Sequence, residues 1–200
     1  MQGSARGGLS PFKAWLALII TLGGPPRHPV FDGQVSQTSL PSESLGNRGG
    51  TVTHKQPRSV QVVIFSESNR EVEFLLLKRL ESHGGFWQTV TGSLEETESH
   101  VEAAIREVKE ETGILAAAEQ LIDLQLVNTF EIAPQWRVKY APGVTHNEEV
   151  CFALRIDKQE IQIDPKEHDS WVWADSSRAH ELLFWESSKR ALATLLRKLE

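Results

Sequence analysis

This chain of 200 residues lacks three things: paired cysteines, a surplus of basic residues and a long apolar run. Its single cysteine, Cys151, excludes an internal disulfide and a zinc site built from several cysteines. The 21 Lys and Arg residues against 27 Asp and Glu residues give a formal net charge of −6, which argues against binding to nucleic-acid polymers. No apolar run reaches the roughly 20 residues of a transmembrane helix. We therefore expect a cytoplasmic protein with no membrane and no nucleic-acid polymer among its partners.

The first 50 residues differ in composition from the rest of the chain. They are rich in Gly, Ser and Pro, a composition that buries too little apolar surface to fold alone. We predict a disordered or low-complexity extension over 1–50, or a start assigned too far upstream, and one domain over 51–200. Residues 14–22, apolar except for Thr21, resemble the core of a secretory signal, but no clear small-x-small cleavage site follows, so export is the disfavoured alternative.

The sequence predicts an α/β (α+β) domain with a mixed sheet flanked by two helices. On the first strand Val60, Val62 and Ile64 lie on one side and Val63 and Phe65 on the other, so both faces of that strand are expected to be buried. Ser176 and Ser177 are candidate caps for a closing helix over 178–199. Strands are predicted by β-branched and aromatic content at 59–67, 71–80, 86–92, 120–133, 136–141, 148–156 and 170–175.

The stretch from 92 to 114 holds seven glutamates in 23 residues. Thr97 or Ser99 is expected to cap a helix that ends at Gly113. Three of the glutamates, at 107, 110 and 111, have the i, i+3 and i+4 spacing that places carboxylates on one helix face, where like charges repel. Mg²⁺ would offset that repulsion because it prefers oxygen ligands. Taken alone, however, three such glutamates more often form a solvated face.

The spacing of the whole stretch decides between these alternatives. Gly92, five residues, Glu98, seven residues and then REVKEETGI over 106–114 match the Nudix box at every fixed position. The chain thus resembles the Nudix hydrolases. That resemblance implies a Nudix-type α/β/α sandwich with a loop-helix-loop metal site, and hydrolysis of nucleoside diphosphates linked to another group with Mg²⁺ or Mn²⁺ as the cofactor.

The resemblance also implies roles for the residues of the box. Glu107, Glu110 and Glu111 are the expected catalytic residues. Of these, Glu107 and Glu111 are the expected metal ligands, whereas Glu110 is either a third ligand or a group that orients the attacking water. The identity of the general base stays open. Arg106 is expected to pair with a glutamate of the box, such as Glu98, and to hold the loop against the helix.

Stretches outside the box resemble one subfamily, the dihydroneopterin triphosphate pyrophosphatases. Its reaction splits a pterin triphosphate between the α and β phosphates in folate synthesis, giving the monophosphate and pyrophosphate. At matching positions Glu167 is expected to complete the metal site, and Lys55, Arg79 and Thr91 are expected to contact the substrate. The stretches that carry this resemblance are 54–57, 86–96, 137–149 and 165–175.

Each of these assignments has a competing interpretation. Lys55 and Arg79 are equally well explained as surface cations. Glu167 could be a solvated loop residue, but the ligand role is favoured because the motif places it opposite the box, where Mg²⁺ needs oxygen donors. Trp87 and Phe130 are candidates to stack on a pterin or purine ring, although aromatic residues on strands more often belong to the core. The remaining expectations concern residues without such a role: His168 has no second histidine at zinc spacing, Cys151 is expected to be buried, and Thr97 stands where the subfamily tends to have glycine.

Two rival functions remain open at this point. A pocket for a bicyclic pterin also fits adenine, so a dATP-type deoxynucleotide pyrophosphatase is one alternative. A Nudix-fold sensor that binds a nucleotide without hydrolysing it is the other. The complete set of box glutamates argues against the sensor, because a binding module has no need of the full ligand cluster. In every case the expected partner is a small-molecule triphosphate, and no oligomeric state is predicted.

Overall fold

The computed structural model describes residues 54–69 and 71–200, so the predictions for 1–50, including the apolar run at 14–22, lie outside the described residues. A seven-stranded mixed sheet forms the centre of the described part. The strands are β1 (Arg58–Ser68), β2 (Glu71–Arg79), β3 (Trp87–Gln88), β4 (Val90–Ser93), β5 (Leu121–Glu131), β6 (His146–Arg155) and β7 (His168–Asp175). The helices are α1 (His100–Thr112), α2 (Ser176–Leu182) and α3 (Glu186–Leu199).

Strand β1 lies at the centre of this sheet and has neighbours on both edges. Along one edge it pairs in parallel with β6, and β5 pairs antiparallel with β6 beyond it. The other edge is shared by two antiparallel partners: β4 pairs with Ser59–Val62 and β2 with Phe65–Ser68. Strand β2 then diverges from β1 and pairs with β7 and β3. This arrangement brings β4, which leads into the Nudix box, against the amino-terminal half of β1.

Helices cover both faces of the sheet. Val60, Val62 and Ile64 of β1 pack with the buried residues of α1, whereas Val63 and Phe65 pack on the opposite face with α2 and α3. Burial on both faces of β1 explains why apolar residues fill both sides of this strand over 62–65. The predicted α/β/α sandwich with a mixed sheet is therefore confirmed. Within the described ranges, no helix is long and apolar enough to cross a membrane.

The strand predicted at 136–141 is wrong. Residues Pro134–Lys139 form a 3₁₀ helix, although their aromatic and β-branched content is typical of a strand. Pro134 stands at the start of this turn, where its fixed φ and missing N–H are tolerated. Arg137 stabilises the turn by donating from Nε to the carbonyl oxygen of Ile132 at 2.9 Å. Local hydrogen bonding thus overrides strand propensity here.

Two further elements are divided where one was predicted. The strand predicted at 86–92 consists of β3 and β4, with Thr89 between them. The single closing helix consists of α2 and α3, because the chain leaves helical geometry at Leu183. The cap of α2 is Asp175, whose side chain accepts from the backbone N–H of Arg178, rather than Ser176 or Ser177.

Candidate active site

The box helix α1 has well-defined ends. Ser99, and not Thr97, is its N-cap: its hydroxyl accepts from the N–H of Glu102, and the Glu102 carboxylate accepts from the N–H of Ser99. This reciprocal pair is a capping box, which satisfies two donors of the first turn. Gly113 ends the helix at φ 72°, a left-handed conformation that favours glycine. The glutamates between these caps are therefore held in a fixed helical register.

Arg106 joins the helix to the loop that precedes it. Its guanidinium donates twice to Glu98, from Nε and Nη2, with both distances 2.9 Å. It also donates from Nη1 to Glu107 at 2.7 Å and to Glu110 at 3.1 Å, and from Nη2 to the carbonyl oxygen of Ser93 at 2.9 Å. The hydrogen bonds that Arg106 donates to Glu98 are the largest cause of its raised pKa. The predicted pairing of Arg106 with Glu98 is confirmed.

Replacing Arg106 by lysine is expected to destabilise the protein. A lysine ammonium cannot reproduce the planar, two-pronged bonding to Glu98 or reach all four partners at once. The partly buried carboxylates would lose their partner, so we expect the free energy of unfolding to fall by about 2–3 kcal/mol. Urea denaturation measures this loss. Arg178→Lys, at an exposed pair with Glu181, is the matched control and should change little; equal losses in both variants would contradict the network's role.

Glu111 is a buried carboxylate with incomplete hydrogen bonding. Its residue is 3% exposed, and its Oε2 atom has no hydrogen-bond partner among the described residues. The backbone N–H of Thr91 donates to this carboxylate. Burial raises the pKa of Glu111 well above its usual value, and the nearby charges of Glu107 and Glu167 raise it further. An unpaired buried carboxylate of this kind is costly unless a cation or a proton compensates its charge.

Glu107 lies against the strand that enters the box. A Cβ atom at Gly92 on β4 would stand 1.7 Å from the Glu107 carboxyl carbon, so only glycine leaves room for this side chain. Burial raises the pKa of Glu107, while Arg106 opposes that shift. Glu110 is different: it is exposed and its carboxylate binds Arg106. Among the box glutamates, 107 and 111 therefore face inward and 110 lies at the rim.

The residues predicted outside the box lie near these carboxylates. Arg79, at the end of β2, donates from Nη1 to Glu167 Oε2 at 2.6 Å. Lys55 precedes β1. Its pKa is lowered, first by desolvation and then by the Lys139 ammonium, while the charges of Glu107 and Glu167 oppose this shift. The structure thus brings the predicted cations Lys55 and Arg79 close to Glu107, Glu111 and Glu167. The Thr91 hydroxyl instead accepts from Gln88 Nε2 at 3.3 Å, so the contact of Thr91 with Glu111 comes from its backbone.

The side chains suit a hard divalent cation, although they are not yet arranged around one. Within the part of the chain that the structure describes, no three His, Cys, Asp or Glu side chains form a group of metal-binding geometry. Arginines explain this, since Arg79 takes an oxygen of Glu167 and Arg106 takes one of Glu107. The unpartnered Oε2 of Glu111 and the surrounding carboxylate oxygens are the donors that Mg²⁺ prefers. The residues present therefore fit the expected cofactor.

His168 has a place beside the site that its sequence did not indicate. It is 1% exposed, neither ring nitrogen has a hydrogen-bond partner within the described part of the chain, and Nε2 lies 3.8 Å from Glu111 Oε2. Burial, aided by Arg79, lowers the pKa of His168 to about 4, so the ring is neutral near pH 7. In the sequence, only its position directly after Glu167 pointed toward the site.

The candidate ring-stacking residues and the cysteine differ in burial. Trp87 is partly buried and packs against the core beneath α2 and α3, as expected of a core aromatic. Phe130, near the end of β5, is 42% exposed. Cys151 is buried as predicted, and burial raises the pKa of its thiol to about 12. Of the two aromatics, only Phe130 therefore offers an exposed ring surface.

Comparison with known proteins agrees with this fold and this box. A model of the NUDIX domain matches residues 55–195. The chain belongs to the Nudix family and is a Nudix hydrolase. Dihydroneopterin triphosphate diphosphatase of Escherichia coli (strain K12) is 43% identical over 141 residues, which cover 70% of this chain and 91% of that protein. The protein of the same name from Haemophilus influenzae (strain ATCC 51907 / DSM 11121 / KW20 / Rd) is 34% identical over 145 residues, 72% of this chain and 89% of that protein.

A solved structure is similar over the same region. The structure of the E. coli dihydroneopterin triphosphate pyrophosphohydrolase superposes with a TM-score of 0.62 at 39% sequence identity, covering 72% of this chain and 98% of that one. The similarity therefore spans nearly the whole of the known enzyme rather than the Nudix box alone.

Proposed function

We propose that this protein is a metal-dependent pyrophosphohydrolase that cleaves dihydroneopterin triphosphate between its α and β phosphates. The products would be the monophosphate and pyrophosphate. The observation that carries the reaction is the buried carboxylate of Glu111, whose Oε2 atom has no hydrogen-bond partner among the described residues, beside Glu107 and Glu167. Three carboxylates this close together, one of them buried with an unpaired oxygen, favour a site for a cation over a stabilising feature of a core.

Some residues of the site would bind the cation, and others would position the substrate. Glu107, Glu111 and Glu167 would hold Mg²⁺, with Mn²⁺ as a substitute, and the cation would supply neutralisation of the charge that develops on the phosphate oxygens. Lys55 and Arg79 provide two further positive charges at the same place. Glu110, at the exposed rim, either adds a third oxygen ligand or orients the attacking water.

The pterin substrate is the finer part of the proposal. It is supported by two relatives that are named for that activity, each covered over most of its length, and by the four stretches outside the box. A role in folate synthesis and a cytoplasmic location follow from that substrate and remain predictions. The alternative with the same chemistry is a dATP-type pyrophosphatase. It would use the same carboxylates and differ only in the ring that it binds.

Pyrophosphate release from the purified protein with Mg²⁺ tests the proposal, comparing dihydroneopterin triphosphate, dATP and GTP at matched concentrations. We expect the highest kcat/KM for the pterin, and loss of release when EDTA removes the metal. A preference for dATP would keep the reaction and overturn the pterin assignment. Binding of these triphosphates without release from any of them would favour the sensor and overturn the enzyme.

A further inference from the structure

One face of the sheet changes from apolar to polar along its strands. Where this face meets α2 and α3, it carries apolar side chains such as Val63 and Phe65. Toward the amino-terminal ends of β1 and β6, and toward the carboxyl-terminal end of β5, the same face carries polar ones, because alternate residues share a face. We call these residues the polar face; they are Ser59, Gln61, Asn128, Asn147 and Glu149, and each is less than 9% exposed.

The hydrogen bonds of the polar face are incomplete. Asn128 Nδ2 donates to Glu149 Oε1 at 3.2 Å and to Cys151 Sγ at the same distance. No described lysine, arginine or histidine forms an ion pair with Glu149, and burial raises the pKa of its carboxyl. The Oδ1 atoms of Asn128 and Asn147 are buried without a partner among the residues that the structure describes. The polar face therefore contains two buried acceptors that lack donors there, which is unfavourable unless a ligand supplies them.

An exposed aromatic ring borders these acceptors. Phe130 follows Asn128 by two residues on β5, on the same face, and is paired with Asn147 on β6. Its ring is 42% exposed, whereas its polar neighbours are buried. A flat apolar surface beside a row of acceptors suits a heterocycle, which would stack on the ring and point its N–H groups at the acceptors.

The polar face also adjoins the carboxylate site. Ser59 follows Lys55 by four residues, and Lys55 is near enough to Glu107 and Glu167 for their charges to affect its pKa. Gln61 is paired with Thr91 on β4, the strand whose next residue, Gly92, makes room for Glu107. Adjacent residues of β4 thus belong to the two regions, so a triphosphate held at the carboxylates and extending past β4 would bring its heterocycle to the polar face.

We propose that Glu149 and Asn128 bind the edge of the substrate's heterocycle, with Phe130 against the plane of the ring. This inference rests on the proposed function for the reaction and adds the chemistry of ring recognition. An ionised carboxylate only accepts hydrogen bonds, and the free Oδ1 of Asn128 is also an acceptor. The matching edge carries a ring N–H beside an exocyclic amino group, as in the 2-amino-4-oxo ring shared by pterins and guanine.

Adenine fits this arrangement poorly. Its corresponding edge has one amino donor beside a ring nitrogen that only accepts, so a lone pair would face the Glu149 carboxylate. A site of acceptors thus selects for pterin and guanine and against adenine by leaving polar groups unpaired with the wrong ring. Glu149 and Asn128 would decide which triphosphate the enzyme prefers without touching the phosphates.

The test is Glu149→Gln, which keeps the shape of the side chain and replaces one acceptor by a donor. We expect kcat/KM for dihydroneopterin triphosphate and GTP to fall about 10- to 100-fold relative to dATP, since hydrogen bonds to a charged group are lost. Mg²⁺ binding, measured by calorimetry, should stay unchanged. Glu148→Gln, the exposed neighbour on the same strand, is the matched control and should leave all three substrates unaffected.

The outcomes separate ring recognition from the reaction itself. An equal fall for all three triphosphates, or no fall for any, would overturn the ring proposal and leave the pyrophosphohydrolase in place. Should the wild-type protein hydrolyse none of them, the proposed function fails, and metal-free binding of dihydroneopterin, which lacks phosphates, decides about the ring. Binding that Glu149→Gln abolishes would support the ring proposal, and absence of binding to the wild-type protein would overturn it.

Discussion

Glu111→Gln is expected to abolish most turnover while the fold survives. The amide keeps the size of the side chain but removes the charge that would hold the cation, so several kcal/mol of transition-state stabilisation would be lost. We expect kcat to fall by about three orders of magnitude, measured as pyrophosphate release with saturating Mg²⁺. Glu119→Gln, on an exposed turn away from the site, is the matched control. Near-normal turnover in Glu111→Gln would refute the assignment of the metal site.

The same variant should alter the pH dependence of stability in EDTA. The pKa of Glu111 is raised above its ordinary value of 4.5 by burial. As the pH rises above that value, the unfolded chain releases this proton while the folded, metal-free protein retains it, so stability falls with rising pH until the folded group also ionises. Glu111→Gln removes this contribution, and thermal melts from pH 5 to 8 should therefore decline less steeply than those of the wild type. Parallel curves would show that Glu111 is not the group responsible.

Gly92→Ala is the second change with a large expected effect. The added methyl group would overlap the end of the Glu107 side chain, which must then move away from the site. Because a carboxylate at the end of a flexible side chain yields easily, we expect a stability loss of about 1 kcal/mol or less. A displacement of about 1 Å at a reacting centre can cost 100-fold in rate, so kcat should fall by about that factor. Urea denaturation and pyrophosphate release measure the two quantities.

A double variant checks that Gly92 acts through Glu107. Adding Gly92→Ala to Glu107→Gln should reduce kcat little further, because both changes remove the same carboxylate from the site. If the two losses in transition-state free energy simply add, the methyl group disturbs something other than Glu107, and the explanation from close packing is wrong.

The parts of the fold that the sequence predicted well are those with local determinants. The box fixes identities and distances over 23 residues, and capping residues and Gly113 mark the ends of α1 within that span. Burial of both faces of β1 was predicted because apolar residues occur on both sides of this strand. The prediction failed at 136–141, where the choice between strand and 3₁₀ helix depends on Pro134 and on a contact between Arg137 and the chain before it.

The site could be predicted only where a motif linked its residues. Glu107 and Glu111 are in one helix, so their proximity follows from spacing. His168 and Glu111 come together across 57 positions of sequence, and Asn128 meets Glu149 only through the register of β5 with β6. Neither pairing produces a periodic pattern in the sequence. The incomplete hydrogen bonding of a buried acceptor such as Asn128 Oδ1 is likewise a property of three-dimensional packing, so in the sequence Asn128 and Glu149 resembled ordinary strand residues.

The alternation of side chains along β1 has an evolutionary consequence. Odd and even positions of this strand lie on different faces: Val60 and Val62 support the helix that carries the box glutamates, whereas Ser59 and Gln61 belong to the polar face. If the polar face binds the ring as proposed, substitutions on that face would alter ring preference without displacing the helix. A lineage that keeps the box could then explore new substrates by point mutation at every second position of the same strands.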